Sequence, residues 1–176
     1  MSTKTVSETS AAVIETRDQL IGYFAGGEKP AERWRIGTEH EKFVFLSRNN
    51  SPVPYHGEAS ISALLKAMQE RLGWEPIMDG DNIIGLGEQS GMGAISIEPG
   101  GQFELSGAPL ATIHQTCREA ADHLALVKEI AEPMGIGFLG IGGSPKWTLA
   151  ETPRMPKSRY DIMTRYMPKI GSKGLD

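Results

Sequence analysis

The sequence predicts an α+β fold, in which an antiparallel sheet packs against flanking helices. Helical and extended segments alternate along the chain, which is the first observation behind this prediction. The second is a stretch rich in glycine and β-branched residues, residues 74–109, which is typical of two or three short strands joined by tight turns. Tight turns join antiparallel strands, whereas parallel strands need long crossovers.

The first part of the chain is predicted to hold a helix and a strand. Residues 1–9 are polar, and we expect them to be flexible. Apolar residues recur at helical spacing over 10–25, and the glycines at 26–27 can end that helix. The opening strand is predicted over about 35–46, before a turn-like segment.

Three further helices and one strand are predicted downstream. A helix starts at about Ser60, has one apolar face, and is followed by Gly73. A long helix over 110–134 carries an apolar stripe. Its members are Ile113, Cys117, Ala120, Leu124, Val127 and Ala131. The segment "GIGFLGIGG" holds a short strand, and a last helix over 158–167 is ended by Pro168.

Composition indicates a soluble globular protein. Of the 176 residues, 39% are hydrophobic and 23% are charged, so a packed core is expected. The net charge of −4 argues against a general nucleic-acid binder. No apolar run approaches the roughly 18 residues of a membrane span. The polar and acidic start fits neither a secretory signal nor a transit peptide, so we expect a cytoplasmic location.

The cysteine content excludes a disulfide within the chain. Cys117 is the one cysteine, and nothing in the sequence indicates an oxidising compartment. Because it lies on the apolar stripe of the long helix, we expect it in the core.

Two glutamates share one face of the opening strand. In "WRIGTEHEKFVF", Glu39 and Glu41 are two residues apart, and Phe43 and Phe45 follow on the same face. Such a face begins in a polar cavity and continues into the core. His40 faces the other way, and we interpret it as a structural histidine.

A second segment, "ISIEPGGQFELSG", repeats this arrangement. Glu98 precedes a Pro-Gly-Gly bend, after which Gln102 and Glu104 share a face. If the two segments are neighbours, four carboxylates converge, and two of them about 5 Å apart would repel by roughly 3 kcal/mol at an effective dielectric constant near 20. Such a site holds divalent cations or raises the pKa values of its members.

The all-oxygen character of these side chains favours Mg²⁺ or Mn²⁺ over zinc, because no thiolate is present and the H-E-x-x-H pattern of zinc proteases is absent. The same spacing also fits four solvated glutamates on edge strands. Both interpretations stay open on spacing alone.

Two other segments have features of anion-binding sites. The glycines of "GFLGIGGSPKW" lack the Walker spacing and its Lys-Ser/Thr pair, and a strand followed by a turn explains them. The segment "RMPKSRY" places Arg154, Lys157 and Arg159 close together. Such a cluster fits carboxylate or phosphate binding as well as a solvated helix start.

Five segments in order resemble the glutamate–cysteine ligases of the plant and proteobacterial type. They are "RIGTEHEKF", "ISIEPGGQFELSGAP", "HQTCREAADHL", "GIGFLGIG" and "MPKSRYDIMTRYMPKIGSKGLD". The resemblance implies a glutamine-synthetase-like antiparallel sheet with flanking helices, incomplete in this chain. Since members of the family are several hundred residues long, it also implies that residues 10–176 are the N-terminal part of one catalytic domain, truncated at its C-terminus.

The resemblance further implies the reaction and its site. ATP phosphorylates the γ-carboxylate of glutamate, and the amine of cysteine displaces phosphate from γ-glutamyl phosphate, the first step of glutathione synthesis. Carboxylates that match the family's Mg²⁺-binding positions are Glu39, Glu41, Glu98 and Glu104. Arg159 matches an arginine expected to bind a substrate carboxylate, and Gln102 is a candidate substrate contact. No side-chain nucleophile is needed.

The expected partners are therefore glutamate, cysteine, ATP and the missing C-terminal portion of the same enzyme, without nucleic acid or membrane. Because that portion supplies further metal and nucleotide groups in the family, we expect this chain to be inactive alone. One alternative is a related ligase that joins glutamate to another amine. Another is a non-catalytic binding module on the same sheet, although such a module would have no reason to keep mutually repelling glutamates.

Overall fold

The computed structural model describes residues 13–173, which form a seven-stranded antiparallel sheet and four α-helices. The strands are β1 Glu39–Leu46, β2 Ser51–Pro52, β3 Glu75–Asp79, β4 Asn82–Gly87, β5 Ala94–Ile97, β6 Phe103–Ser106 and β7 Ile136–Leu139. The helices are α1 Arg17–Ala25, α2 Ile61–Leu72, α3 Ile113–Ala131 and α4 Ser158–Tyr166. The predicted α+β class with an antiparallel sheet is confirmed.

The sheet runs in the order β2-β1-β6-β5-β4-β3, and β7 also pairs with β1. The first half of β1 pairs with β6, so that Glu41 lies opposite Glu104. Its second half pairs with β7, where Val44 lies opposite Phe138. Strand β1 therefore connects the meander β3–β6 to the later part of the chain.

The glycine-rich stretch forms four strands where two or three were expected. Strands β5 and β6 have only four residues each and are separated by a tight bend over Pro99–Gly101. Gly100 and Gly101 have φ angles of 74° and 79°, in the left-handed region that glycine adopts without steric cost. The bend lets a single apolar segment fold into a hairpin.

Helix α2 follows the sequence signals closely. The Ser60 hydroxyl accepts a hydrogen bond from Ala63 N at 3.2 Å, and Gly73 ends the helix in the left-handed conformation. Its apolar face is buried against β4 and α3. The buried members are Ile61, Leu64, Leu65 and Met68.

Helix α3 starts at Ile113, three residues later than expected, after a capping box formed by Thr112 and Gln115. Beyond Ala131 the chain continues as a 3₁₀ turn to Met134. The predicted apolar stripe is wrong for half of its length, because Ile113 and Leu124 are 61% and 41% exposed.

Cys117 is also exposed, so its predicted place in the core is wrong. The buried face of α3 instead contains Thr116, His123, Val127 and Ala131. Val127 and Ala131 confirm the end of the predicted stripe. Before them the pattern predicts buried positions one residue too late, because the buried residues there, Thr116 and His123, are polar.

The two outer helices differ from the predictions at their ends. Helix α1 starts at Arg17, after the cap residue Thr16, and none of its residues is buried. The predicted helical residues 10–12 and the predicted flexible residues 1–9 lie outside the described part of the chain. Helix α4 ends at Tyr166, and Pro168 lies in the 3₁₀ turn that follows.

By contacts the chain divides into two units, Met1–Arg35 and Ile36–Asp176. The core of the second unit lies between helices α2 and α3 and one face of the sheet. We call this face of the sheet the back face; it carries Lys42, Phe103 and Leu105, whereas the opposite, front face carries Glu41 and Glu104. The single domain over 10–176 stays a prediction. No helix within 13–173 is long and apolar enough to cross a membrane.

Candidate functional site

Three carboxylates meet on the front face of the sheet. Strand β1 carries Glu39 and Glu41 two residues apart, and the antiparallel register places Glu104 of β6 opposite Glu41. One oxygen from each of the three carboxylates lies within 4.8 Å of the others. Glu39 is exposed, whereas Glu104 is buried. Like charges at this separation repel by at most about 3 kcal/mol at an effective dielectric constant of 20, and a cation between them would offset that repulsion.

Two hydroxyls hold Glu104 in place. Its side chain is only 5% exposed. Ser96 donates a hydrogen bond to Oε2 at 3.0 Å, and Ser106 donates one to Oε1 at 2.7 Å. A buried carboxylate that accepts hydrogen bonds at both oxygens has a fixed orientation, which a metal ligand needs.

A buried lysine lies beneath the carboxylates on the back face. Lys42 is 1% exposed, and its Nζ donates a hydrogen bond to the His40 carbonyl oxygen at 2.6 Å. Burial lowers the pKa of Lys42 to about 8, while the charges of Glu41 and Glu104 act in the opposite direction. Since Lys42 is still largely protonated at pH 7, it offsets part of the charge of the front-face carboxylates.

A cavity of about 630 Å³ opens beside Glu39 and Glu41. Its walls come from β1, from the bend between β5 and β6, and from the segment after β7. The lining residues are Glu39, His40, Glu41, Glu98, Pro99, Gln102, Gly140, Ile141 and Gly142. This volume is in the range of small-molecule sites. The glycines after β7, which the sequence analysis interprets as structural, form part of the cavity wall.

Glu98 lines this cavity but is not a member of the carboxylate cluster. Its Oε1 accepts a hydrogen bond from Lys157 Nζ at 3.1 Å, and both of its oxygens accept bonds from Arg159 Nη2 at 3.1 and 3.0 Å. Lys157 is 8% exposed, and burial lowers its pKa, an effect that Glu98 opposes. The two cations connect the start of α4 to the end of β5.

The structure thus brings three of the four predicted carboxylates together. The fourth carboxylate, Glu98, is outside the cluster but lines the same cavity, as does the candidate substrate contact Gln102. Arg159 donates a hydrogen bond to Glu98. The metal and substrate roles of these residues stay predictions. His40 also lines the cavity, although it belongs to the opposite strand face and is outside the cluster.

Sequence reasoning missed the serines that support Glu104 and the buried ion pair of Lys157. The serines could have been found, because alternation in "AISIE" and "FELS" places Ser96 and Ser106 on the same face as Glu104. The ion pair joins residues 59 positions apart, and no local pattern indicates it.

Comparison with known proteins gives a consistent result. The sequence pattern of glutamate-cysteine ligase family 2 matches residues 35–176. The chain is 58% identical over 172 residues to a chloroplastic glutamate–cysteine ligase of Brassica juncea, covering 96% of this chain and 32% of that protein. It is 57% identical over 166 residues to the chloroplastic enzyme of Nicotiana tabacum, covering 94% of this chain and 31% of that protein.

A third relative, the chloroplastic glutamate–cysteine ligase of Arabidopsis thaliana, is 56% identical over 172 residues, which are 96% of this chain and 32% of that protein. The chain therefore spans about a third of the length of these relatives. Their chloroplastic names contradict the expected cytoplasmic location, which is wrong. That expectation rests on the polarity of the first residues, which is weaker evidence for location than the names of these relatives.

Proposed function

This chain belongs to glutamate-cysteine ligase family 2, and we propose that it forms the metal-binding part of an enzyme that joins the γ-carboxylate of glutamate to the amine of cysteine with consumption of ATP. The observation that carries this proposal is the cluster of Glu39, Glu41 and Glu104 on the front face. The names of the relatives also favour a plastid location.

The cluster fits a hard divalent cation. Glu39, Glu41 and Glu104 would supply the oxygen ligands that Mg²⁺ prefers. Their three oxygens lie within 4.8 Å of one another, so small side-chain movements would let them hold one ion. Magnesium sites in nucleotide-dependent enzymes combine one or more carboxylates with substrate phosphates, and here the adjoining cavity leaves room for such a partner.

Each protein group has a defined part in this proposal. Glu104 is fixed by Ser96 and Ser106, while Glu39 and Glu41 reach the cavity from the edge of β1. When bound, Mg²⁺ neutralises charge on the phosphates of ATP and polarises the phosphoryl group that is transferred. The carboxylates hold this charge at one wall of the cavity.

The bond changes require no side-chain nucleophile. The γ-carboxylate oxygen of glutamate attacks the terminal phosphorus of ATP, giving γ-glutamyl phosphate and ADP. The amine nitrogen of cysteine then attacks the acyl carbon, phosphate leaves, and the amine loses a proton as the amide forms. The protein positions these groups and stabilises charge.

Arg159 and Gln102 are proposed to contact the amino acid substrate. Arg159 is held by both oxygens of Glu98 and also lies over the Tyr160 ring, 5.4 Å from its centroid. Its remaining N–H groups can pair with a substrate carboxylate, which guanidinium binds in a planar, two-pronged geometry. A metal ligand role for Glu98 would require the ion to compete with Lys157 and Arg159.

The test uses the whole protein that contains this chain, supplied with ATP, Mg²⁺, glutamate and cysteine. Phosphate release should equal the amount of γ-glutamylcysteine formed. Glu39→Gln should lower kcat by at least about 100-fold, because it removes one negative ligand of the cluster, while circular dichroism stays unchanged.

The matched control is Glu75→Gln, an exposed glutamate at the start of β3, which should keep normal turnover. Near-normal turnover of Glu39→Gln would contradict the metal role. Phosphate release with another amine but not with cysteine would instead favour the related ligase, and no phosphate release with any amine would favour the binding module.

A further inference from the structure

A smaller cavity lies on the front face of the sheet, beside the second half of β1. It has a volume of about 240 Å³, and we call it the aromatic slot. Three of its eight lining residues are aromatic, and the one charged residue is a lysine. The lining residues are Phe43, Phe45, Asn50, Leu139, Ser144, Pro145, Lys146 and Trp147. None of them has a part in the site described above.

The aromatic slot continues the face of β1 that carries the carboxylates. Side chains two residues apart on a strand share a face, so Phe43 and Phe45 follow the carboxylates of β1 on the front of the sheet. At about 3.4 Å per residue, these two positions lie about 7 and 14 Å along the strand from Glu41. The front of β1 is therefore acidic in one half and aromatic in the other.

The segment that follows β7 borders both cavities. Its residues 140–142 line the cavity beside the carboxylates, and its residues 144–147 line the aromatic slot. Leu139, at the end of β7, lies opposite Phe43 and also lines the slot. The two cavities are therefore neighbours along one continuous stretch of backbone, and a ligand that is long enough can extend from one into the other.

Trp147 is fixed in place as a wall of the aromatic slot. Its indole Nε1 donates a hydrogen bond to the carbonyl oxygen of Asn50 at 2.8 Å, and its backbone N donates one to Ser144 Oγ at 2.9 Å. Its ring meets the ring of Phe43 edge to face, with 5.7 Å between the centroids. Because this wall is already formed, little conformational freedom is lost when a flat group binds against it.

The chemistry of the lining favours a flat group without charge. Lys146 donates a hydrogen bond through Nζ to the carbonyl oxygen of Asn49 at 2.8 Å, and no acidic residue of the described chain lines the slot. An amino acid would leave its ammonium group without an anionic partner there. Aromatic side chains bind planar bases by stacking, since every base has a face suited to it. The volume, below the range usual for a whole ligand, suits one part of a larger ligand.

We propose that the aromatic slot binds the adenine base of ATP, with Trp147 as its stacking surface, while the triphosphate extends along β1 towards the carboxylate cluster. This inference rests on the proposed function, in which ATP, glutamate and cysteine are the substrates. Of these three, ATP is the one with an aromatic part. Its ribose and α-phosphate separate the base from the terminal phosphates by a distance comparable to that between the slot and the cluster.

Two ligands separate the base from the phosphates in a binding test on the whole protein that contains this chain. They are the Mg²⁺ complexes of AMP-PNP, a non-hydrolysable analogue of ATP, and of tripolyphosphate, which lacks the base and the ribose. In isothermal titration calorimetry, Trp147→Leu should weaken AMP-PNP binding at least about tenfold, because it removes a stacking surface. The Kd of tripolyphosphate should stay within about twofold of that of the unmodified protein, since its contacts lie in the other cavity.

A second substitution at the same position distinguishes stacking from the tether to Asn50. Trp147→Phe keeps an aromatic face but loses the N–H that donates to the Asn50 carbonyl oxygen, and its affinity for AMP-PNP should stay close to that of the unmodified protein. Trp34→Leu is the matched control, since Trp34 belongs to the first unit of the chain and lines neither cavity. It should change neither affinity.

The base site is overturned by any of three results. They are unchanged AMP-PNP affinity in Trp147→Leu, an equal loss of tripolyphosphate affinity in that variant, and AMP-PNP binding by Trp147→Phe that is as weak as that by Trp147→Leu. Should Trp147→Leu fail to fold, Phe43→Leu, which removes the ring that Trp147 packs against, decides with the same two ligands and the same expected changes. Failure of the proposed function is a separate result, because it appears in the unmodified protein as the absence of phosphate release and of γ-glutamylcysteine.

Discussion

At the residue scale, the support of Glu104 decides how well the carboxylate cluster can bind a cation. Glu39 and Glu41 stand on consecutive front-face positions of one strand, but Glu104 comes from another strand and is buried. The hydroxyls of Ser96 and Ser106 each donate to one of its oxygens. Groups that orient a metal ligand commonly affect metal affinity by 10- to 100-fold.

We expect the double substitution Ser96→Ala with Ser106→Ala to weaken Mn²⁺ binding by about tenfold, because Glu104 loses the hydrogen bonds that orient it. Electron paramagnetic resonance of free Mn²⁺ measures the Kd directly. Ser90→Ala is the matched control, since Ser90 donates to Glu88, outside the cluster, at 2.7 Å. A Kd within twofold of the unmodified chain in the double variant would refute the supporting role of the serines.

At the element scale, helix α4 depends on a residue far away in the chain for its N-terminal cap. The preceding residue, Lys157, makes no side-chain capping bond. Instead, Asp79 at the end of β3 accepts a hydrogen bond from Ser158 N through Oδ2 at 2.7 Å. This bond, together with one from the Ser158 side chain, lowers the pKa of Asp79. The cap ties α4, and with it Arg159, to the sheet.

Asp79→Ala should lower the free energy of unfolding by about 1 kcal/mol at pH 7, the usual value for a lost N-cap. Because the pKa of Asp79 is lowered from its ordinary value of 3.8, its ionised form stabilises the fold above that pH, and the contribution disappears as the pH falls through the folded-state value. Urea denaturation at pH 7 and pH 2.5 measures both effects. Asp81→Ala, in the adjacent turn, is the control that should change neither.

Helix α3 shows why the faces of an element are harder to predict than its existence. Its apolar residues recur at helical spacing, which predicts its start to within a few residues. Its buried face includes Thr116 and His123, whereas Cys117 is exposed. Apolar periodicity cannot identify a buried face whose members are polar, because the burial of His123 results from stacking on Phe103 of another element.

At the scale of the whole molecule, the buried His123 links global stability to pH. Its pKa is about 3 in the folded chain, against about 6.5 in the unfolded chain. Between these values the unfolded chain binds a proton that the folded chain does not, so stability falls as the pH is lowered. The slope from this one group approaches about 1.4 kcal/mol per pH unit.

On going from pH 7 to pH 4.5, the free energy of unfolding of His123→Phe should therefore fall by about 2 kcal/mol less than that of the unmodified chain. Urea denaturation at the two pH values measures this difference. The phenyl ring can keep the stacking on Phe103 without a titrating group. His114→Phe, on the exposed side of the same helix, should lose as much as the unmodified chain. Equal losses in all three proteins would show that another group governs the acid response.

The sequence by itself determined the α+β class, the approximate position of each helix and the pairing of Glu39 with Glu41 on one face. These features depend on local periodicity and on capping and turn residues, which act within a few positions of one another. The order of motifs along the chain also sufficed to identify the family, which residues 35–176 confirm.

Only the tertiary structure decided which carboxylates meet and which are paired with cations. The register of β1 with β6 places Glu104 in the cluster. Glu98 is instead paired with Lys157 and Arg159, which are distant from it in the sequence. Strand order and long-range ion pairs depend on how distant segments pack, and a local pattern does not contain that information.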